Sequence, residues 1–210
     1  DILFEKLNDS DDHVKKTTQK AIHKCVKNHI EHILMRCTSS CPTTKHYCHM
    51  YLSKYALINI NKIEQFIYTA SWLDANTLLH LLFNMFKNKI ESTLIKATKQ
   101  PFTQKNAIMM LAIIGSKRSV PHLISLYETP ALKRHIIEAL KMEEATPCYP
   151  VLLSYLDNDA SASFIQDMII KLGQPIAPTL IQYLKFYHVA VSILYLHTGV
   201  SLSWRPQNDS

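Results

Sequence analysis

Three short phrases put a proline at the head of an apolar run: "VPHLISLY" from Val120 to Tyr127, "YPVLLSYL" from Tyr149 to Leu156, and "APTLIQYL" from Ala177 to Leu184. Their prolines, Pro121, Pro150 and Pro178, stand 29 and 28 residues apart. A proline in the first helical turn gives up an amide that has no intrahelical acceptor anyway, so each phrase reads as a helix start. A second series keeps the same interval: Leu111, Leu140 and Ile169 are spaced by 29 and 29. Each of these anchors closes a set at steps of four, three and one. The sets are Thr103, Ala107, Met110, Leu111; Leu132, Ile136, Ala139, Leu140; and Ser161, Ile165, Met168, Ile169. Such steps place four side chains on one helical face, where small residues let helices approach and large ones fill the gaps. Gly115 and Gly173, each four residues past an anchor, supply left-handed helix ends.

A helical hairpin with one apolar face cannot bury that face alone, so the period predicts a stack in which consecutive pairs share a continuous core. Composition agrees. Of 210 residues 47% are apolar, enough for a substantial core, while three glycines and nine prolines are too few breakers for a meander of strands. The front of the chain repeats the grammar more faintly. "LNDSDDHVKKTTQKAI" has a cap-rich corner, with Asp11 or Asp12 as cap, then Val14, Thr18, Ala21 and Ile22 at the same steps. Between these regions Asn61, Asn76 and Asn88 stand near expected helix starts of two further pairs. The expected fold is all-α: a short, curved, right-handed α-α solenoid of roughly six helix pairs. Its basic first half is residues 1–100, its second half residues 101–200, and residues 201–210 form a tail with Trp204 and Arg205. The uncharged run from Phe186 to Trp204 is too interrupted by polar residues to read as a membrane span. The chain starts at Asp1, as a processed chain or a piece of a longer one would.

The residues that carry this pattern resemble HEAT repeats, particularly the shorter HEAT-like kind. Leu7, Asp9, Val14 and Lys15 match that family's leucine, Asp-containing turn and Val-Arg step, with Lys for Arg; Leu132 and Lys133 match its middle. The resemblance covers residues 102–184 best and residues 2–35 in part. It implies a binding surface or scaffold without naming a ligand, because function belongs to sites grafted on folds. Some HEAT-like proteins are DNA glycosylases that use aromatic residues and an Asp on the concave face. Trp72 beside Asp74 looks superficially like such a pair, and "ASWLDANTLL" also reads as a helix boundary with Asp74 as cap.

Candidate sites fall into three groups. Tyr127, Tyr155 and Tyr183 recur at steps of 28 in the proline-opened helices. Facing the groove beside Lys133, Arg134 or Lys117, they would suit a partner peptide or helix; facing inward, they are core with hydroxyls at the rim. Lys16, Lys20, Lys24 and Lys27 lie along one face of the first long helix, away from Val14, Ala21 and Cys25. That stripe suits phosphates, anionic lipids or an acidic protein, or is an ordinary solvated face. The basic surplus sits in the first half: residues 1–100 hold 14 Lys or Arg and 9 Asp or Glu, net +5, against a net of +1 in the remainder. A total of +6 without an aromatic-interleaved basic platform ranks nucleic acid below a protein partner.

The third group is "CTSSCPTTKHYCH", with Cys37, Cys41, His46 and Cys48 as a tetrahedral structural-zinc set and His49 as substitute. The spacing lacks paired Cys-x-x-Cys knuckles. Two small buried thiols flanking a turn, or a disulfide from Cys37 to Cys41 or Cys48, fit equally well. Five cysteines in a chain of this length fit a reducing compartment, so the expected location is cytoplasmic. Eleven histidines without a metalloprotease motif or nucleophile elbow, and Glu143 and Glu144 at a helix corner, give catalysis no convergent constellation. The expectation is a non-enzymatic interaction scaffold or adaptor binding another protein, with nucleic acid through the lysine stripe as the alternative.

Overall fold

The computed structural model describes residues 2–26, 29–156 and 159–186. Lys27, the tail, and nearly all of the uncharged run lie outside the described residues. Among those described, all regular structure is helical and no strand occurs. The helices are α1 (Ile2–Glu5), α2 (Asp12–Val26), α3 (Glu31–Leu34), α4 (Pro42–Tyr55), α5 (Ile60–Thr69), α6 (Trp72–Phe86), α7 (Glu91–Ala97), α8 (Gln104–Ile114), α9 (Ser119–Tyr127), α10 (Pro130–Leu140), α11 (Cys148–Leu153) and α12 (Asp159–Leu172). Residues 177–186 are helical as well. No helix among them is long and apolar enough to cross a membrane.

From α5 onward each helix touches the helix two places further along: α5 with α7, α6 with α8, α7 with α9, α8 with α10, α9 with α11, and α10 with α12. That rule sorts odd helices into one layer and even helices into another, the arrangement of stacked hairpins in a helical-repeat protein. The anchor sets lie at the seam. Ala107, Met110, Leu111, Ile136, Leu140, Ile165 and Met168 are fully buried, Leu132 and Ala139 nearly so, and Ile169 is half-buried against the same core.

Local chemistry explains the boundaries. Pro121, Pro150 and Pro178 each fall within the first turn of their helix, as the missing amide requires. Asp11 caps α2, its carboxylate accepting from the His13 amide at 2.7 Å. Gly115 ends α8 at φ 57° and ψ 27°, its amide returning to the Leu111 carbonyl at 3.1 Å. A Cβ at Gly115 would lie 2.6 Å from the backbone nitrogen of Cys148, so glycine is also what lets α8 meet the start of α11.

Three expectations need correction. Asn76 stands four residues inside α6 and not near its start. Its side chain instead ties two turns together, donating to the Trp72 carbonyl at 2.9 Å and the Phe102 carbonyl at 3.0 Å. Asp74 is not the cap; Ser71 is, accepting from the Asp74 amide at 3.2 Å while donating to the Asp74 carboxylate at 2.7 Å. The Ser71 hydroxyl thus both caps the helix and bonds the Asp74 side chain, without the bond to the Ser71 amide that a full capping box would add. Cys25 is exposed and does not share the buried α2 face, which consists of Thr18, Ile22 and Val26.

Candidate functional site

Of the two settings open to the recurring tyrosines, all three take the inward one, at different depths. Tyr127 is completely buried, while Tyr155 and Tyr183 are half-buried and packed against the core. The Tyr127 hydroxyl sits in a charged setting. It donates to Asp167 Oδ2 at 2.8 Å and accepts from Lys171 Nζ at 3.2 Å. Lys171 also pairs with Asp167 at 2.7 Å, one helical turn away on α12. Above the same ring lie two ammonium groups, Lys133 Nζ at 5.1 Å and Lys171 Nζ at 5.6 Å from the centroid, within cation–π range.

This cluster opens into a groove of about 510 Å³ between α10 and α12, lined by Pro130, Ile137 and the side chains of Lys133, Arg134, Glu138, Lys141 and Lys171. Ile137 and Pro130 give it an apolar base, and four cations face one lining carboxylate. Arg134 is partly neutralised by Glu138, one turn on, at 2.8 Å, and Lys171 by Asp167. Lys133 and Lys141 form no ion pair among the described residues. The shifts follow the contacts. Lys171 lowers the Asp167 carboxyl through a hydrogen bond, with the Tyr127 hydroxyl adding to it, and Lys171 is raised in return. Burial pushes the Tyr127 phenol up, and its bond to Asp167 adds to that. The groove therefore carries a surplus of positive charge beside apolar side chains.

The structure brings Tyr127, Lys133 and Arg134 together with Lys141, Lys171 and Asp167, three residues that the sequence reading did not single out. Lys141 follows the last turn of α10, eight residues past Lys133. Lys171 and Asp167 become visible only when α10 stacks on α12. Lys117 lies in the turn between α8 and α9, outside the groove lining.

The first-half candidates sit elsewhere. Lys16, Lys20 and Lys24 are exposed on α2, and the first two border a 390 Å³ groove with Gln19, His23, Met50 and Tyr51. Behind that groove is a tyrosine row the sequence reading did not single out. Gln19 Nε2 donates to the Tyr47 hydroxyl, Tyr51 donates to the Gln19 carbonyl at 3.0 Å, and the Tyr55 hydroxyl meets the His23 ring at 3.0 Å. Steps of four on α4 put these three rings on one face, and they seal α4 to α2.

The Cys/His group is not gathered around one point. Among the described residues, no three His, Cys, Asp or Glu side chains are grouped to hold a metal ion. Cys37 and Cys48 are buried, and the Cys37 thiol donates to the Ile33 carbonyl at 3.2 Å. Cys41 caps α4 and accepts from Asn8 Nδ2 at 3.2 Å, while His46 is exposed with its ring edge-on to Tyr47. Donors from Thr44, then Asn8, lower the Cys41 thiol to about 7. All five cysteines are free thiols. Asp74, considered with Trp72 as a catalytic pair, accepts from Thr38 Oγ1 at 2.8 Å as well as from Ser71, so its carboxylate holds two turns together. Glu143 opens a 3-10 turn, Glu143–Ala145, at the corner before α11.

No family model matches this chain, and a search of curated proteins finds no similar sequence.

Proposed function

We propose that the chain is a non-enzymatic, cytoplasmic protein-binding module of the right-handed, HEAT-like kind, which holds an acidic segment of a partner protein in the groove between α10 and α12. The observation that supports this reading is that Lys133 and Lys141, neither of them in a salt bridge among the described residues, line the groove beside Ile137 and Pro130. A partner helix or extended segment with carboxylates at one-turn or two-turn spacing can bridge both lysines while its apolar side chains cover Ile137. Desolvated charge pairing then gives orientation, and apolar burial gives residence time.

Nucleic acid through Lys16, Lys20 and Lys24 is the second reading, supported by the exposed lysine row and its bordering groove. The two readings separate in one titration series. Fluorescence anisotropy with an amphipathic acidic peptide should show binding that Lys133→Glu/Lys141→Glu weakens at least about tenfold and Lys16→Glu/Lys20→Glu leaves within about twofold. Binding of single- or double-stranded nucleic acid that is abolished by the α2 reversal, without peptide binding, would replace the first reading with the second.

A further inference from the structure

Turns that lead from an odd helix to the next even one adjoin at one edge of the stack. The turn after α3 is tied to the start of α6 by Thr38, whose hydroxyl donates to the Asp74 carboxylate at 2.8 Å. The start of α6 is tied to the α7–α8 turn by Asn76, whose buried side-chain nitrogen bonds both the Trp72 and Phe102 carbonyls and so holds those residues side by side. Tyr68, near the end of α5, reaches the end of α7 by donating to the Lys96 carbonyl at 3.2 Å.

Large apolar side chains stand in solvent along this edge. Phe102 is 65% exposed, Trp72 61%, Leu73 58% and Tyr68 43%, with Met35 at 68% on the neighbouring turn. A single exposed leucine or methionine is ordinary, but three exposed aromatic rings on two adjoining turns make a patch that calls for a partner. The charge beside it has one sign. Segments 35–45, 68–76 and 96–106 carry Arg36, Lys45, Lys96, Lys99 and Lys105 against one carboxylate, Asp74, which is already bonded by Thr38 and Ser71. Lys99 and Lys105 are exposed and form no ion pair among the described residues.

We propose that this edge docks on an anionic lipid surface, with Trp72, Phe102 and Leu73 entering the headgroup region and Lys99 and Lys105 pairing with lipid phosphates and carboxylates. Neither groove described above is lined by the three apolar side chains, so they project from the fold and do not form a seat. A peptide or a nucleobase is held in a concavity with convergent polar groups, whereas a bilayer interface receives projecting rings and favours Trp at that depth. Lysine stems lie along apolar surface while their ammonium groups stay in the wet layer, and each such charge adds to the attraction of an anionic leaflet. Asn76 fixes the two turns beforehand, so docking needs no refolding. A few side chains with two free lysines give reversible attachment that requires both contributions together. The groove between α10 and α12 uses other residues and stays open while this edge is on lipid.

The full chain is mixed with vesicles of phosphatidylcholine alone, or of phosphatidylcholine with phosphatidylserine at roughly one part in three, and bound protein is separated by flotation. The expected result is binding to the anionic vesicles that is at least about tenfold weaker on the neutral ones and falls as salt rises. Lys99→Gln/Lys105→Gln should weaken it about tenfold. Trp72→Ala/Phe102→Ala, which leaves the net charge unchanged, should weaken it by about as much or more. Trp72 and Trp204 are the only tryptophans, so in Trp204→Phe the remaining indole reports on this edge without any change to it. Its emission should move to shorter wavelength on anionic vesicles and be quenched by brominated lipid. Four outcomes would overturn the assignment: no flotation with anionic vesicles; equal flotation with both vesicle types; flotation that Trp72→Ala/Phe102→Ala leaves intact; or Trp72 emission that a single-stranded oligonucleotide or an acidic peptide shifts and vesicles do not.

Discussion

The seam between α8 and α10 and the seam between α2 and α4 solve the same packing problem with different chemistry. The first is closed by aliphatic side chains, with Ala107 and Ala139 as the small members and Leu111, Ile136 and Leu140 as the large ones, all buried. The second is closed by Tyr47, Tyr51 and Tyr55, whose hydroxyls go to Gln19, the Gln19 carbonyl and His23. An aliphatic seam gains with area and tolerates sliding until shapes clash. A hydroxyl seam gains about 1 kcal/mol per bond and penalises any arrangement that leaves a buried hydroxyl unpaired. Regular stacking therefore belongs to the second half, and a directional lock to the first.

The contrast is sharpest at the two glycines. Gly115→Ala should destabilise by about 4 kcal/mol, because the new methyl meets the α11 backbone in a conformation that already disfavours it. Gly173, at φ 64° and ψ −127°, is not the left-handed helix end that the sequence suggested; with open space around its Cβ position, Gly173→Ala should cost only the backbone strain of about 1–3 kcal/mol. Urea midpoints measure both, and equal losses would mean that α8 does not press against α11. Next comes Leu140→Ala, expected to cost about 3 kcal/mol by cavity formation in the aliphatic seam. Tyr51→Phe in the hydroxyl seam should cost about 1 kcal/mol by removing the phenol's bond to the Gln19 carbonyl. Reversal of that order would show the first half to be the stiffer one.

The smallest expected effect is a pH dependence. Burial, with Lys99 adding to it, lowers the His122 pKa, and its ring bonds Thr98 Oγ1 at 3.0 Å between α9 and the end of α7. A histidine depressed in the folded state binds its proton more readily when unfolded. Its contribution is therefore present above the unfolded value of about 6.5 and is lost as pH falls through the lower folded value. His122→Gln should flatten the urea midpoint between pH 7 and pH 5; an unchanged slope would assign the dependence elsewhere, with His49, also lowered by burial, next in line.

What the sequence disclosed follows the same division. Aliphatic faces with small residues at fixed steps write their period into the chain, so the anchor sets, the prolines and Gly115 were readable before any coordinates. Hydroxyl partners leave no period: Tyr47, Tyr51 and Tyr55 looked like helix rhythm because Gln19 and His23 lie about 30 residues away. Asn76 misled for a related reason, since its amide bonds carbonyls in two separate turns and gives no local signal. The groove was half readable. α10 carries Lys133 and Arg134 and Lys141 follows its last turn, but Lys171 and Asp167 join them only through stacking on α12.

Hydrogen–deuterium exchange on the full chain, with and without an amphipathic acidic peptide, reports on the stacked layers and the groove together. The account predicts slow exchange across α8 and α10 in the free chain, and peptide-induced protection confined to α10 and α12 with α2 and α4 unchanged. Protection on α2 and α4 alone, or fast exchange through α8 and α10, would contradict it.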